Sequence, residues 1–251
     1  MIVLRSEDEI SSIRSAGQII KATFEILRKN VKPGARTVEL DAIARKEIVR
    51  RGGVPAFKGI KVAGREYPAN ICASVNEVVV HGIPSGRMLE EGDIVSIDIG
   101  VKFKEYYADA AITVGVGRIS EAAEKLISVT KESLSRGIGN AIAGSRLGDV
   151  SASIQEYVER HGFSVVRDLV GHGIGSALWE DPQVPNYGRP GTGPRLQAGM
   201  ALAIEPMVNA GTYEVETLED GWAVVTCDRK LSAHFEHTIV IREGEAEILT
   251  A

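Results

Sequence analysis

Residues 94–114 read IVSIDIGVKFKEYYADAAITV, and this stretch decides the architecture that we expect for the chain. Apolar side chains alternate with small or polar ones over residues 94–101 and again over residues 106–114. Such alternation on both sides of a short polar segment predicts the two strands of an antiparallel hairpin. Further strand-like runs predict a sheet around this hairpin, and they cover residues 71–75, 78–81, 165–169, 201–208, 223–226 and 234–241.

Four helices are predicted, two before each group of strands. The first begins after Ser6, because a serine followed three residues later by a glutamate, here Glu9, forms a capping box. The others begin at Thr37, after Ser120 and at Leu147, and they end near residues 51, 143 and 162. Because the helices are segregated from the strands along the sequence, the predicted fold class is α+β.

The two helix–strand groups also show a weak internal repeat. A shift of 110 residues brings identical residues in and around the second and fourth helices into coincidence: Gly34 with Gly144, Arg36 with Arg146, Ala42 with Ala152, Arg50 with Arg160 and Gly52 with Gly162. We therefore expect a single domain, residues 1–251, made of two related halves at about 1–117 and 118–251. A cleft between two such halves is a natural place for a ligand.

Asp98 and Asp109 give the first chemical signal. With Phe103 and Lys104 in the turn of the hairpin, the two aspartates lie directly opposite each other, with Cβ atoms about 4.5–5.5 Å apart. Two facing carboxylates repel by about 4 kcal/mol at ~4 Å and an effective dielectric constant near 20. A solvated outer face, a shared proton or a bridging cation would each offset this repulsion, and the pair alone leaves these alternatives open.

Three further residues extend this pair to a predicted metal site. Glu205 and Glu236 lie inside apolar, strand-like runs, where a carboxylate is rarely buried without a partner. Each alone could be a charge at a sheet edge, and His172, which lies between glycines, could belong to a turn. Together the four carboxylates and one imidazole suit two divalent ions, with Mn, Fe or Co fitting at least as well as Zn. Paired ions of this kind activate water for hydrolysis.

The composition argues against several other classes of function. The 251 residues carry a formal net charge of -5, whereas nucleic-acid binding requires a clustered basic face. The two cysteines, Cys72 and Cys227, do not form a zinc-ribbon or disulfide pattern. Neither a signal peptide nor a membrane span is visible. We therefore expect a cytoplasmic chain that binds neither nucleic acid nor membrane.

Six segments carry a resemblance to a known family: VNEVVVHGIP, GDIVSIDIGV, YYADAAIT, VGHGIGSALWEDPQVPNYG, GMALAIEPM and HFEHTIVI. They run along essentially the whole chain and resemble type I bacterial methionine aminopeptidases. The resemblance implies the pseudo-two-fold pita-bread (creatinase/aminopeptidase) fold, a central antiparallel sheet with helices on the outer side. It also implies one catalytic domain, a monomer, that removes methionine from the N-termini of nascent polypeptides before a small second residue. Docking on the ribosome is left open.

The resemblance implies a role for each candidate residue. Two divalent ions (Co, Mn, Fe or Zn) would be bound by Asp98, Asp109, His172, Glu205 and Glu236, with Asp109 and Glu236 bridging both. Glu205 would also act as general acid and base, and His81 would contact the substrate and assist proton movement. The methionine pocket would be lined by Tyr67, Cys72, Leu178 and Trp222, although plain core packing is the alternative for Tyr67, Leu178 and Trp222.

Two departures from the family pattern concern the substrate. Trp179 stands where members usually carry a second active-site histidine, seven residues after His172. The indole offers one hydrogen-bond donor and no acceptor, so we expect Trp179 to contact substrate in a slower or differently selective enzyme. The segment Gly59–Pro68 is also longer than the usual loop, which predicts a different pocket depth.

Two alternatives belong to other functional classes. Another enzyme of the same fold, such as a proline-specific aminopeptidase or a creatinase, usually carries a large additional N-terminal domain that is not visible here. A non-catalytic metal-binding relative would have lost metal ligands, whereas all five positions match. Trp179 keeps this second alternative open. A bacterial type I form is favoured because the extension and insertion of eukaryotic relatives are not visible.

Overall fold

The computed structural model describes residues 2–251 of the chain. Within this range the helices are α1 (Glu7–Asn30), α2 (Thr37–Arg50), α3 (Glu121–Asn140) and α4 (Leu147–Arg160). The strands are β1 (Val54–Pro55), β2 (Lys61–Val62), β3 (Arg65–Glu66), β4 (Cys72–Val75), β5 (Val78–Val80), β6 (Ile94–Phe103), β7 (Tyr106–Gly115), β8 (Ser164–Val165), β9 (Gly171–Gly173), β10 (Glu180–Val184), β11 (Ala201–Ile204), β12 (Met207–Asn209), β13 (Val215–Thr217), β14 (Val224–Thr226), β15 (Ser232–His234), β16 (Glu236–Val240) and β17 (Glu247–Ile248). The predicted α+β fold class is confirmed.

Helix α1 begins where the sequence predicts. The backbone N–H of Ser6 donates to Oε2 of Glu9 over 2.8 Å, and the N–H of Glu9 donates to Oγ of Ser6 over 3.4 Å, which closes the capping box. One face of the helix is buried at three- and four-residue spacing, including Ile10, Ile13 and Ile20. This face packs on β6 and β7, so α1 covers one side of the central hairpin.

Helices α2 and α4 begin with the same arrangement. Arg36 and Arg146 occupy their N-cap positions. The backbone N–H of Arg36 donates to Glu39 over 2.9 Å, and that of Arg146 donates to Asp149 over 2.8 Å. Residues that coincide in the sequence when it is shifted by 110 positions therefore lie at equivalent places in two helices.

A nine-stranded sheet forms the centre of the described chain. Its strand order is β1-β6-β7-β16-β11-β9-β10, with β4 paired to β6 and β17 paired to β16, and every pair is antiparallel. Strands from the first part of the chain lie on one side of the β7–β16 pair and strands from the second part lie on the other. Helices α1 and α3 pack against this sheet, and smaller sheets (β15-β12-β8, β13-β14-β5 and β2-β3) complete the fold.

The register of the central hairpin differs from the prediction. Phe103 pairs with Tyr106, so the turn consists of Lys104 and Glu105. Asp98 is therefore opposite Ala111 rather than Asp109, and the expected direct opposition of the two aspartates is wrong. Because side chains alternate with a period of two, this two-residue shift keeps both aspartates on one face, as diagonal neighbours.

Two predicted strands are interrupted where the chain changes sheets. The run at 201–208 divides into β11 in the central sheet and β12 in a neighbouring sheet, with Glu205 and Pro206 between them. Pro206 has no N–H and cannot continue a ladder. The run at 234–241 divides in the same way at Phe235, and the run at 165–169 is a strand only at Val165. The breaks place Glu205, directly after β11, and Glu236, the first residue of β16, at the neighbouring ends of two paired strands of the central sheet.

Candidate metal centre and active site

A cavity of about 730 Å³ opens between the two parts of the central sheet. The carboxylates of Asp98 on β6 and Asp109 on β7 reach it from one side. His172 on β9, Glu205 after β11 and Glu236 on β16 reach it from the other. All five predicted metal ligands thus lie in one cavity, although they are far apart in the sequence.

The side chains in this group are close enough to share an ion. One ligand atom each of Asp109, His172 and Glu236 lies within 4.8 Å of the others. The Nε2 atom of His172 is 3.5 Å from Oε1 of Glu205. Nδ1 of His172 lies 2.9 Å from the carbonyl oxygen of Gly173, and donation to that oxygen leaves Nε2 to face the cavity as a ligand.

The carboxylates are buried without the partners that a carboxylate normally requires. Asp98 Oδ1, Asp109 Oδ1 and Glu236 Oε1 have no hydrogen-bond partner among residues 2–251. Burial raises the pKa of Asp98, Asp109, Glu205 and Glu236 above the ordinary carboxyl range, and for the last three repulsion from the other carboxylates raises the pKa further. Unpaired buried oxygens beside one imidazole are the donor set that divalent cations require, so these residues fit a metal centre.

Two threonine hydroxyls connect the two parts of the sheet by hydrogen bonds. Thr238 Oγ1 accepts from the N–H of Asp109 over 2.9 Å and donates to the Asp109 carbonyl over 2.7 Å. Thr113 Oγ1 makes the corresponding pair of bonds with the backbone of His234, over 2.9 and 2.8 Å. Strands β7 and β16 pair directly at two positions, Ala111 with Glu236 and Ala110 with His237. The two hydroxyls take the place of ladder hydrogen bonds on either side of these pairs. They therefore set the spacing of the carboxylates on the two strands.

His81 lies in the cavity wall in a left-handed backbone conformation, with φ of 58°. This conformation is uncommon for a residue with a side chain and is found at functional sites. Burial lowers the pKa of His81 to about 4, so the ring is neutral near pH 7. It packs edge-on against Trp222, with ring centroids 6.4 Å apart.

An apolar part of the cavity adjoins the carboxylates. The rings of Tyr67 and Trp222 meet edge-to-face at 5.1 Å, and both line the cavity together with the free, buried Cys72. Cys72 is paired with Asp98 across β4 and β6, so the apolar part directly adjoins the carboxylate group. Leu178 was expected here too, but it is buried in the main core and is not among the residues that line the cavity.

Trp179 lines the cavity at its solvent side, with 50% of its surface exposed. It belongs to the loop between β9 and β10. Glu180 holds this loop, because its carboxylate accepts hydrogen bonds from Ser176 Oγ over 2.9 Å, from the Ala177 N–H over 2.8 Å and from the buried Arg5. The indole is therefore presented on an anchored loop.

The long segment Gly59–Pro68 forms the β2–β3 hairpin at the apolar end of the cavity. Ile60 and Val62 of this segment line the cavity. Arg65 donates to the carbonyl oxygen of Glu219 over 2.5 Å. Because Glu219 is three residues before Trp222, this bond ties the hairpin to the segment that carries the aromatic wall.

Sequence reasoning missed several residues of the site. Phe57, Asp168, Gln183 and Met207 also line the cavity. His234 is buried beside it, with Nε2 only 3.7 Å from Oε2 of Glu205. The spacing of His234 two residues before Glu236 was a usable signal, since residues two apart in the single strand predicted at 234–241 would share a face.

Comparison with known families assigns the chain to a class of enzyme. Residues 11–243 match the family model described as metallopeptidase family M24. The match covers most of the chain, and the chain belongs to this family. None of the helices in the described range is long and apolar enough to span a membrane.

The resemblance to bacterial methionine aminopeptidases is confirmed as well. The chain is 55% identical to a methionine aminopeptidase of Clostridium perfringens over 100% of this chain and 99% of the relative. It is 52% identical to methionine aminopeptidase 1 of Bacillus subtilis, with the same coverage of both chains. The crystal structure of methionine aminopeptidase from Thermotoga maritima superposes with a TM-score of 0.96 at 47% identity, covering 100% of this chain and 99% of that one.

More distant structures share only the architecture. The prolidase from Pyrococcus furiosus has a TM-score of 0.79 at 22% identity, and this chain covers 65% of it. This likeness and the closer one together confirm the expected pita-bread fold, with its central antiparallel sheet.

Proposed function

We propose that the chain is a metal-dependent methionine aminopeptidase, which hydrolyses the peptide bond after an N-terminal methionine of nascent proteins and peptides. The observation that carries this proposal is the group of buried, unpaired carboxylates and one imidazole beside an apolar pocket. The high identity to methionine aminopeptidases over the whole chain supports it. A small second residue is the expected context of cleavage.

The metal centre of this proposal is formed by five side chains. Asp98, Asp109, His172, Glu205 and Glu236 would hold two divalent ions (Co, Mn, Fe or Zn). When bound, such ions lower the pKa of water and polarise a carbonyl group. The raised pKa values of Asp109 and Glu236 support this assignment, because a bound cation offsets both the burial of the charge and the repulsion that raise them.

Protein groups handle the proton and the substrate. Glu205 takes the proton of the attacking water and returns it to the leaving amine, as a general acid and base. His81, neutral near pH 7, contacts the substrate near the scissile bond and assists proton movement. The ring pair of Tyr67 and Trp222, with the Cys72 thiol, receives the methionine side chain, since thioethers make favourable contacts with aromatic rings.

Trp179 takes the place of a titratable group in this mechanism. Its indole N–H can donate to a substrate carbonyl, but the ring cannot exchange a proton near pH 7. We infer that proton transfer therefore depends on Glu205 and His81, and that turnover is slower or differently selective. Replacement by histidine, Trp179→His, tests this inference, and an unchanged rate constant would contradict it.

The organisation of the chain completes the proposal. Residues 1–251 form one catalytic domain of two related halves, about 1–117 and 118–251, with the metal centre between them. The antiparallel pairing of β7 and β16 at the middle of the sheet supports this division. A cytoplasmic monomer is proposed on the family resemblance.

Peptide cleavage tests the function. Protein stripped of metal is supplied with Mn, Fe, Co or Zn and offered Met-Ala-Ser, Leu-Ala-Ser and Ala-Pro-Ala. We expect metal-dependent release of methionine alone. Asp109→Asn should abolish this release, whereas the half-exposed control Glu132→Gln should keep it, since Glu132 pairs with Arg136 on the surface. Cleavage of Ala-Pro-Ala instead would indicate a proline-specific relative, and binding of metal without any cleavage would indicate a non-catalytic one.

A further inference from the structure

The carboxylate of Glu205 lies between two imidazole rings. Its Oε1 is 3.5 Å from Nε2 of His172, and its Oε2 is 3.7 Å from Nε2 of His234. Each ring therefore faces a different oxygen. His172 already has a place in the proposed metal centre, but His234 has none.

The oxygen that faces His172 is the one placed to bind an ion. Two ligand atoms at about 2.1 Å from one tetrahedral ion are ~3.4 Å apart. This separation matches the 3.5 Å between His172 Nε2 and Glu205 Oε1. Oε2 then remains on the side of His234. A carboxylate that binds a metal usually accepts a hydrogen bond from a neighbouring group, which fixes its orientation.

His234 is a buried and anchored donor. The residue is 1% exposed, and its Nε2 has no hydrogen-bond partner within residues 2–251. Its backbone N–H and carbonyl are both bonded to the hydroxyl of Thr113 on β7, and Thr113 Oγ1 also lies 2.8 Å from Oγ of Ser96. The ring is thus held from the first part of the chain. A buried donor that stays unpaired costs about 1–3 kcal/mol, which favours a bond to the nearby carboxylate.

We propose that Nε2 of His234 donates a hydrogen bond to Oε2 of Glu205 and thereby holds Oε1 toward the metal ion. His234 is a positioning residue in this arrangement, since it acts through Glu205. The bond requires the two atoms to approach from 3.7 Å to about 2.9 Å. The inference rests on the metal centre of the proposed function, but it does not depend on which peptide is cleaved.

A different role for the same ring is that of a metal ligand. The atoms of Asp109, His172 and Glu236 that lie within 4.8 Å of one another do not include His234. Its Nε2 also faces the oxygen of Glu205 that points away from His172. The geometry therefore favours the hydrogen bond, and the ligand role becomes an outcome that the experiment can detect.

Two amide variants separate these roles. In His234→Gln the side-chain amide nitrogen reaches the position of Nε2, whereas in His234→Asn it reaches only the position of Nδ1. Metal affinity is measured by calorimetric titration of metal-stripped, full-length protein with Mn²⁺ or Co²⁺, and the Co²⁺ absorption spectrum is recorded for each variant. His161→Gln serves as control, because His161 lies at the end of α4 and bonds the carbonyl of Tyr157.

We expect His234→Asn to bind metal about 10–100-fold more weakly, the usual effect of losing a partner of a metal ligand. His234→Gln and the control should remain close to the unmodified protein, and the Co²⁺ band positions should be the same in all four. The proposal would be overturned if both His234 variants bound metal as tightly as the unmodified protein. It would also be overturned if both variants lost metal affinity to the same extent. A shifted spectrum would show that His234 binds the ion directly. Failure of the unmodified protein to bind metal would instead refute the metal centre, and binding without cleavage of Met-Ala-Ser would refute only the peptidase activity.

Discussion

Replacement of Glu236 by glutamine should stabilise the metal-free protein and destabilise the metal-bound one. Glu236 lies within 4.8 Å of a carboxylate oxygen of Asp109. At this separation and an effective dielectric constant near 20, the repulsion between two unit charges is about 3.5 kcal/mol. Partial protonation relieves some of it, so we expect Glu236→Gln to gain about 1–3 kcal/mol at pH 8 in chelator. For a chain of this length the gain corresponds to a melting temperature about 2–12 °C higher.

The pH dependence of this effect has a definite sign. The pKa values of Asp109 and Glu236 are raised in the folded protein, so the folded state binds more protons than the unfolded state between the ordinary carboxyl range and the raised values. The stability of the metal-free protein therefore falls as pH rises through this window. Because the variant has one carboxyl group fewer, its melting temperature should fall less between pH 5 and pH 8.

Thermal melts in chelator and in excess Mn²⁺, at pH 5 and pH 8, provide the assay. In Mn²⁺ we expect the unmodified protein to gain stability by mass action, whereas the variant lacks one of the proposed ligands and should gain much less. Glu132→Gln, in an exposed pair on α3, should change stability by less than about 1 kcal/mol under all conditions. A variant that melts below the unmodified protein in chelator at pH 8 would refute the argument that repulsion among these carboxylates limits stability.

Further predictions concern α1 and α3. Gly17→Ala should destabilise the protein by about 1–3 kcal/mol, because a Cβ there would lie 2.2 Å from the carbonyl oxygen of Leu249; urea denaturation measures this loss. Gly139→Ala, the matched change in a helix with open space around the Cβ, should instead gain about 0.5–1 kcal/mol; a loss there would contradict the packing argument. Glu9→Gln should lower stability at pH 7, because hydrogen bonds from Ser6 hold the pKa of Glu9 at about 2. The stability that this depressed pKa contributes is lost as pH falls from about 4 toward 2, so melts of the variant and the unmodified protein should converge there, and a constant difference would speak against this origin.

The parts of the fold that follow from local chemistry were predictable. The start of α1 depends on Ser6 and Glu9 alone, and its position was predicted correctly. Asp98 and Asp109 share a face whenever the hairpin turn holds an even number of residues. This part of the prediction was therefore correct although the predicted register was wrong. Four of the five proposed ligands were recognised because carboxylates inside apolar strand sequence require a partner wherever the strands pair.

Other features depend on contacts between distant segments. The hairpin turn contains neither glycine nor asparagine, and Lys104 itself adopts φ of 54°, so no residue marked the register. The division of the strand at Glu205 follows from pairing with two different sheets. Leu178 lies one residue before a cavity-lining residue yet points into the core. His234 was missed because its neighbour Glu205 is far away in the sequence, in the break between β11 and β12.

The pairing of β7 with β16 has a consequence for synthesis of the chain. While the first part of the chain is emerging, β7 has no partner on its outer side, because β16 lies near the C-terminal end. A strand whose edge is unpaired can form a non-native pair with another strand, which leads to aggregation. Asp109 lies on that edge strand with its charge pointing inward, which is a known deterrent to such pairing. The carboxylate charge of Asp109, which a bound metal would later neutralise, would thus also protect the partly synthesised chain from aggregation.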